Sequence, residues 1–173
     1  MNKATVSGVL VDGLFAYYDQ IMSFFFEAMT KGWAAGGKKI KIPQLPGYKA
    51  IEYGKGECYL LDCYCVTPYS SKSAGFTTIY LRNIPIWVMH YGGAYDKTVM
   101  PFLKSLLLET YQKKEFRGGR GPGAFLKGSF YYRNEMNRDD FTIFSGREEI
   151  HNKDTGKLLG YHNFSGMILL EME

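Results

Sequence analysis

Residues 113–133 of the chain read Lys-Lys-Glu-Phe-Arg-Gly-Gly-Arg-Gly-Pro-Gly-Ala-Phe-Leu-Lys-Gly-Ser-Phe-Tyr-Tyr-Arg. Six basic side chains and one acidic side chain give this segment a net charge of +5, whereas the whole chain carries only +4. The remaining residues therefore sum to −1, and the net positive charge is concentrated in one glycine-rich connection. We expect this connection to lead from a helix into a strand and to border a ligand site.

The composition indicates one globular domain that is rich in sheet. The chain has 173 residues, with 14 Tyr and 12 Phe, and large aromatic side chains favour strands. An odd number of cysteines (Cys58, Cys63 and Cys65) argues against a disulfide framework and for a reducing compartment. No run reaches the ~18 apolar residues of a membrane-spanning helix. We therefore predict a cytoplasmic protein that does not insert into membranes.

The N-terminal part of the chain predicts an arm followed by a helix. Residues 1–12 show no clear period and are interpreted as an arm, so a single domain is expected over 13–173. Asp12-Gly13 is a plausible helix cap, and apolar residues recur at helical spacing from Leu14 to Lys31. This helix carries more apolar residues than one face needs. It is therefore expected to pack broadly under a sheet, and it also suggests a homodimer.

The rest of the chain alternates between strands and one further helix. Residues 36–56 are dense in Gly, Pro and Lys and predict a long connection with one short edge strand at Lys39–Ile42, because Pro43 cannot donate to a strand ladder. A second helix is expected from a cap at Thr98 to about Gln112. Strands are predicted at Glu57–Val66, Phe76–Leu81, Pro85–Tyr91, Phe125–Arg133, Asp140–Phe144, Glu148–His151, Leu158–Asn163 and Met167–Glu171. The predicted fold is therefore α+β, a twisted antiparallel sheet of about six to eight strands with two helices packed on it.

The glycine-rich segment 118–123 has three alternative interpretations. It is no P-loop, because that motif runs from strand to helix and ends in Gly-Lys-Ser/Thr. It is either a flexible, solvated linker, or an anion site in which Arg117 and Arg120 grip a carboxylate or phosphate. Its interleaved basic and aromatic residues also resemble single-strand nucleic-acid surfaces, but one Arg-Gly-Gly-Arg-Gly box is a weak pattern.

Motifs for catalysis or metal binding are scarce. Cys63 and Cys65 share a strand face, but zinc needs four ligands, so no metal and no cofactor are predicted. Glu148 could serve as a general acid or base. Asp62 lies mid-strand between apolar neighbours, where desolvation would raise its pKa. A small hydrolase or transferase using one of these carboxylates is an alternative function, although no catalytic residues are assigned.

Several short pieces of the sequence together resemble a known family. They are Ala-Gly-Gly-Lys (35–38), Tyr-Leu-Leu-Asp-Cys-Tyr (59–64), Pro-Ile-Trp-Val-Met-His-Tyr-Gly-Gly (85–93), Phe-Leu-Lys (102–104), Phe-Arg-Gly (116–118), Phe-Ser-Gly-Arg-Glu-Glu-Ile (144–150) and a closing Phe-Ser-Gly-Met-Ile. This pattern resembles a bacterial family of unknown function that is sometimes fused behind an Xre-type helix-turn-helix domain. The resemblance covers about residues 20–170 and implies a sensor or an interaction partner in regulation, with no known catalytic residues.

The sequence thus predicts a non-enzymatic, sensor-like domain that binds a small anionic or aromatic ligand or a protein partner. Nucleic-acid binding is not favoured. The ligand is expected at a sheet face bordered by residues 116–123. The residues expected to face it are Trp87, Tyr91, Arg117, Arg120 and Glu148.

Overall fold

The structure, a computed structural model, describes residues 8–11 and 14–170. Its elements in chain order are β1 (Gly8–Val11), β2 (Leu14–Tyr17), α1 (Tyr18–Met29), β3 (Ile40–Lys41), β4 (Tyr48–Lys55), β5 (Cys58–Val66), β6 (Lys72–Leu81), β7 (Ile84–Tyr95), a 3-10 turn (Lys97–Val99), α2 (Met100–Lys113), β8 (Ala124–Lys127), β9 (Phe130–Asp140), β10 (Ile143–Asn152) and β11 (Leu158–Ile168). One antiparallel sheet has the order β3-β4-β5-β6-β7-β11-β10-β9-β8, and β1 pairs with β2 separately.

The main sheet has nine strands, so the predicted number of six to eight is wrong. The long connection predicted over 36–56 contains β4, which pairs with β5 along its whole length. The predicted strand Phe125–Arg133 is two strands, because Gly128 has φ +60° and turns the chain between them. Conversely, the last two predicted strands are one continuous strand, β11. In β4, pairing with a long neighbouring strand outweighs the local Gly, Pro and Lys content.

Both helices exist, but their beginnings differ from the prediction. The α1 helix begins at Tyr18 rather than Leu14, because 14–17 pair with 8–11 as a strand. The predicted cap at Asp12-Gly13, like most of the predicted arm, lies outside the described residues. Before α2, the side chain of Asp96 rather than Thr98 caps the 3-10 turn by accepting the Thr98 amide. Pro101 lies in the first turn of α2. Backbone amides there have no acceptor within the helix, so the missing N–H of proline costs little.

The core lies between the two helices and the inner face of the sheet. Phe25 of α1 is fully buried and its ring packs on Trp87 of β7 and on Tyr111 of α2. Most other apolar residues of α1 are buried in the same core, and Tyr18 and Met22 are partly buried against it. The apolar surplus that suggested a homodimer is therefore largely covered within the chain, and the homodimer itself stays a prediction.

The sheet consists of two antiparallel meanders, each preceded by a helix. The first meander is β3–β7 after α1, and the second is β8–β11 after α2. They meet where β7 pairs with β11, in the register Gly93 to His162. This junction brings the inward side chains of β5, β7 and β11 beneath both helices. A cavity forms there.

Candidate functional site

A cavity of about 130 Å³ lies between the helices and the inner face of the sheet. One part of its wall is apolar and comes mainly from α1, α2 and the turn after α1, with Met29, Trp33, Ala34, Val66, Met89, Met100, Leu103 and Leu107. The rest is polar or aromatic and comes mostly from the sheet, with Asp62, Tyr64, Ser73, Thr77, Tyr91, Tyr95, Tyr111, Arg120 and His162. An apolar enclosure with a few converging polar groups is the usual form of a small-molecule site.

Asp62 is the buried carboxylate of this cavity. Side chains alternate between the two faces along β5, and this alternation places Leu60 and Asp62 on the inner face of the sheet. Its Oδ1 accepts hydrogen bonds from Thr77 Oγ1 at 2.9 Å and from Tyr91 Oη at 2.7 Å. Burial raises the pKa of Asp62 even though these two hydrogen bonds oppose the shift. The desolvation predicted from the sequence for Asp62 is therefore confirmed.

Arg120 and Glu148 form a buried ion pair beside the cavity. Both Nε and Nη2 of Arg120 donate to Oε1 of Glu148, and Tyr95 Oη donates to the same oxygen. Tyr132 Oη donates to the other oxygen at 2.6 Å. Burial alone would raise the pKa of Glu148, but the charge and hydrogen bonds of Arg120 outweigh it and lower the pKa. The two charges neutralise each other inside the protein.

His162 adds a neutral imidazole to the cavity wall. Its Nε2 lies 3.2 Å from Ser73 Oγ, and its Nδ1 is buried without a hydrogen-bond partner among the described residues. Burial and the nearby charge of Arg120 lower the pKa of His162 to about 3. The ring is therefore uncharged at neutral pH, stacked on Tyr91 and tilted against Tyr95.

Two glycines on the inner sheet face make room for these rings. A Cβ atom at Gly75 would lie 2.7 Å from Tyr91 Oη, and a Cβ atom at Gly93 would lie 2.6 Å from His162 Cδ2. Both distances are too short for real atoms, so the two rings can occupy these places only because Gly75 and Gly93 lack side chains. In both cases the glycine lies directly opposite the ring-bearing residue on the neighbouring strand: Gly75 is paired with Tyr91, and Gly93 is paired with His162.

Comparison with protein families matches residues 68–168 to a family described as Domain of unknown function (DUF5680). The match spans more than half of the chain. The chain belongs to this family. The predicted resemblance to a family of unknown function is confirmed over these residues, which are fewer than the expected 20–170. No curated protein and no solved structure matches the chain.

The DUF5680 domain brings two of the five predicted site residues, Tyr91 and Arg120, to the cavity wall. Glu148 lies directly behind Arg120 and is fully buried. Trp87 lies in the core away from the cavity wall, where its Nε1 donates to the Phe141 carbonyl at 3.0 Å. Arg117 also lies outside the cavity wall. Its side chain is 42 % exposed and its Nη2 lies 3.7 Å from Asp139 Oδ2.

The glycine-rich segment of the DUF5680 domain is an interior element rather than a solvated linker. Residues 118–121 are buried, and Gly118 and Gly119 have φ values of +61° and +69°. Tyr111 Oη donates to the Gly119 carbonyl, and Tyr132 Oη accepts the Gly121 amide. The segment therefore holds Arg120 in place beneath the sheet.

The sequence singles out Asp62 as a possible acid or base, but it does not join Asp62 to His162 in one site. Tyr95, Tyr111 and Trp33 were likewise not predicted to line a cavity. The signal that could have joined them is the inward register of β5, β7 and β11, in which glycines face rings. In the described part of the DUF5680 domain, no group of three or more His, Cys, Asp or Glu residues could hold a metal ion. Neither helix within 8–11 and 14–170 is long and apolar enough to cross a membrane.

Proposed function

We propose that this domain binds a small, largely apolar molecule in the cavity beneath its two helices. The observation that carries the proposal is the combination of an apolar wall with polar atoms that lack partners. Asp62 Oδ2 takes no hydrogen bond from any described residue, and His162 Nδ1 is buried without a partner. Buried polar groups are normally satisfied, and leaving one unpaired costs about 1–3 kcal/mol. A ligand that forms a hydrogen bond with His162 Nδ1 recovers part of that cost, and Asp62 Oδ2 offers it a second acceptor.

The size of the cavity limits the ligand. Its volume of about 130 Å³ is close to the ~150 Å³ of an engineered apolar cavity that holds benzene. The fitting ligand therefore has a body of about one ring or a short branched chain.

An anionic ligand held by Arg117 and Arg120 has less support than a ligand in this cavity. The charge of Arg120 is matched by Glu148, and Arg117 lies outside the cavity wall. An added anion would meet no unbalanced positive charge there, and it would meet the Asp62 carboxylate.

Binding can be tested by filling the cavity at its partly exposed end. Ala34→Phe places a ring in the cavity wall, whereas Ala35→Phe adds the same ring at an exposed neighbouring position that does not line the cavity. Benzyl alcohol and benzylamine, titrated calorimetrically, are expected to bind saturably to the wild type and to Ala35→Phe and not to Ala34→Phe. Saturable binding of neither probe to the wild type, or equal binding to Ala34→Phe, would remove the proposal.

If the domain is an enzyme, the geometry favours Asp62 over Glu148 as its acid or base. Both oxygens of Glu148 are engaged by Arg120, Tyr95 and Tyr132, whereas Asp62 keeps one oxygen open to the cavity. A general base needs such an open oxygen and a raised pKa, which Asp62 has. Any turnover found with the purified wild type should be lost in Asp62→Asn and kept in Glu109→Gln, which changes a surface carboxylate.

The wider biological role stays a prediction. A sensor-like function in bacterial regulation and a protein partner rest on the sequence resemblance to proteins fused to Xre-type domains. A homodimer rests on the apolar first helix, and a cytoplasmic location rests on the cysteine pattern and the lack of a long apolar run. Single-stranded nucleic-acid binding finds little support, because 118–121 are buried and Arg120 is paired.

A further inference from the structure

The charges around the cavity do not cancel. Arg120 and Glu148 neutralise each other, and both are buried, with side-chain exposures of 9 % and 0 %. His162 is uncharged at neutral pH, because the pKa of its ring is about 3. The remaining charged group of the wall is Asp62, so the ionised wall carries one net negative charge, which the shared charge of Arg120 stabilises only in part. A buried carboxylate without a counter-ion is costly unless a cation or proton joins it.

Four hydroxyl groups of the wall, those of Thr77, Tyr91, Tyr95 and Tyr111, present acceptors rather than donors to a ligand. Tyr91 and Thr77 commit their protons to Asp62 Oδ1, and Tyr95 commits its proton to Glu148. Tyr111 commits its proton to the Gly119 carbonyl. Each hydroxyl has one proton to donate, so these oxygens can offer only lone pairs to a ligand. Together with Asp62 Oδ2 they form an acceptor surface, and a group with several donors fits it best.

Aromatic rings surround the same acceptor surface. Tyr91, Tyr95, Tyr111 and Trp33 all line the cavity. The guanidinium carbon of Arg120 already lies 5.9 Å from the Tyr91 ring centroid, so one of these rings accepts a cation in the structure. Ring faces attract cations within about 6 Å through their quadrupole, and more strongly when water is excluded.

Resting on the proposed binding function, we propose that the ligand is a protonated primary amine on a small aromatic or apolar body, with Asp62 as its counter-ion. The ammonium group donates one hydrogen bond to Asp62 Oδ2 and has two further donors for the neighbouring hydroxyl oxygens. The two hydrogen bonds to Oδ1 fix the carboxylate before the ligand arrives. The apolar body lies against Leu103 and Leu107 of α2, which line the other side of the cavity.

Three probes of nearly equal shape test the inference: benzylamine, benzyl alcohol and benzoate. Calorimetry at neutral pH on the wild-type chain is expected to show benzylamine binding about tenfold or more tighter than benzyl alcohol, with no binding of benzoate. Asp62→Asn keeps an acceptor for Tyr91 and Thr77 but turns the open oxygen into a donor. In this variant the preference for the amine should fall to about twofold or less while benzyl alcohol still binds.

Asp139→Asn is the matched control, because it removes one negative charge from an exposed position outside the cavity and should keep the full amine preference. Benzyl alcohol or benzoate binding the wild type as tightly as benzylamine would overturn the inference and leave the proposed binding function standing. An amine preference that survives in Asp62→Asn would also overturn it. Binding of none of the three probes defeats the proposed function itself. The wild-type comparison decides the matter even if Asp62→Asn fails to fold.

Discussion

Tyr91 Oη donates a 2.7 Å hydrogen bond to Asp62 Oδ1 and thereby joins two strands that are not neighbours, β5 and β7, across the inner face of the sheet. The intervening strand β6 allows this contact because it carries Gly75 opposite Tyr91. The bond crosses the sheet beneath the helices and fixes the one carboxylate of the cavity wall. The proposed ligand requires an ionised Asp62, whereas the stability of the folded protein favours an uncharged side chain at this buried position.

Asp62→Asn is expected to stabilise the protein at neutral pH. Burial raises the folded-state pKa of Asp62 above its unfolded value, so the ionised carboxylate destabilises the folded state at neutral pH. The penalty begins to shrink as the pH falls through the folded-state pKa, where the folded protein takes up the proton, and it is gone only below the unfolded-state pKa. Asparagine keeps the acceptor for Tyr91 and Thr77, so the gain at pH 7 should be of the order of 1 kcal/mol. Urea unfolding at pH 7 and at about pH 4 should show a gain that shrinks on acidification. A less stable variant at pH 7 contradicts the expectation.

Tyr91→Phe and Arg117→Ala should separate the cavity from the basic segment. Tyr91→Phe removes the donor to Asp62 and should weaken benzylamine binding by roughly five- to tenfold, the effect of one hydrogen bond. Arg117→Ala removes a side chain outside the cavity wall and should leave the dissociation constant within about twofold. Thermal-shift titrations of both variants provide the comparison. A large loss in Arg117→Ala would place the ligand at the basic segment instead.

Glu148→Gln should be one of the most damaging single changes in the sheet. It leaves the guanidinium of Arg120 buried without a counter-charge, for which a loss of about 3–5 kcal/mol in unfolding free energy is expected. Because the pKa of Glu148 is lowered in the folded state, its stabilising effect is present above the unfolded pKa and is lost as the pH falls. Glu109→Gln breaks an exposed pair with Lys113 and should cost about 0.5 kcal/mol or less. Equal losses in the two variants would show that the buried pair has no special role.

Gly119 and Gly128 offer a matched test of the interior glycine segment. Both have positive φ values, +69° and +60°, so alanine is strained at either position. A Cβ atom at Gly119 would also lie 2.9 Å from Phe25 Cζ, whereas a Cβ atom at Gly128 would have nothing within 4 Å. Gly128→Ala should cost about 1 kcal/mol, and Gly119→Ala should cost about 1–3 kcal/mol more. Equal losses of unfolding free energy in the two variants, measured with denaturant, would contradict this prediction. They would mean that the segment around Gly119 moves to accommodate a side chain, as a solvated linker does.

The sequence predicted local features well and distant pairing poorly. Period-two alternation correctly turned Asp62 inward on β5, and helical spacing located both helices. The sequence did not predict β4. The many glycines, prolines and lysines of 36–56 are not typical of a strand, and β4 forms through its pairing with β5. The sequence treated Arg117 and Arg120 alike, although three residues separate a partly exposed side chain from a buried one. That difference depends on Glu148, which is distant in sequence and is placed beside Arg120 by the pairing of β10 with β9 and β11.

The most direct measurement uses the two tryptophans of the chain, since one lines the cavity and the other does not. Each indole N–H gives its own signal in a ¹⁵N–¹H spectrum, assigned with Trp33→Phe, and benzylamine is titrated into the labelled wild-type protein. The account predicts a saturable shift of the Trp33 signal, together with backbone amides near Thr77 and Tyr91, while the Trp87 signal stays in place. A shift of the Trp87 signal with Trp33 unmoved would contradict it, as would a titration in which neither signal moves.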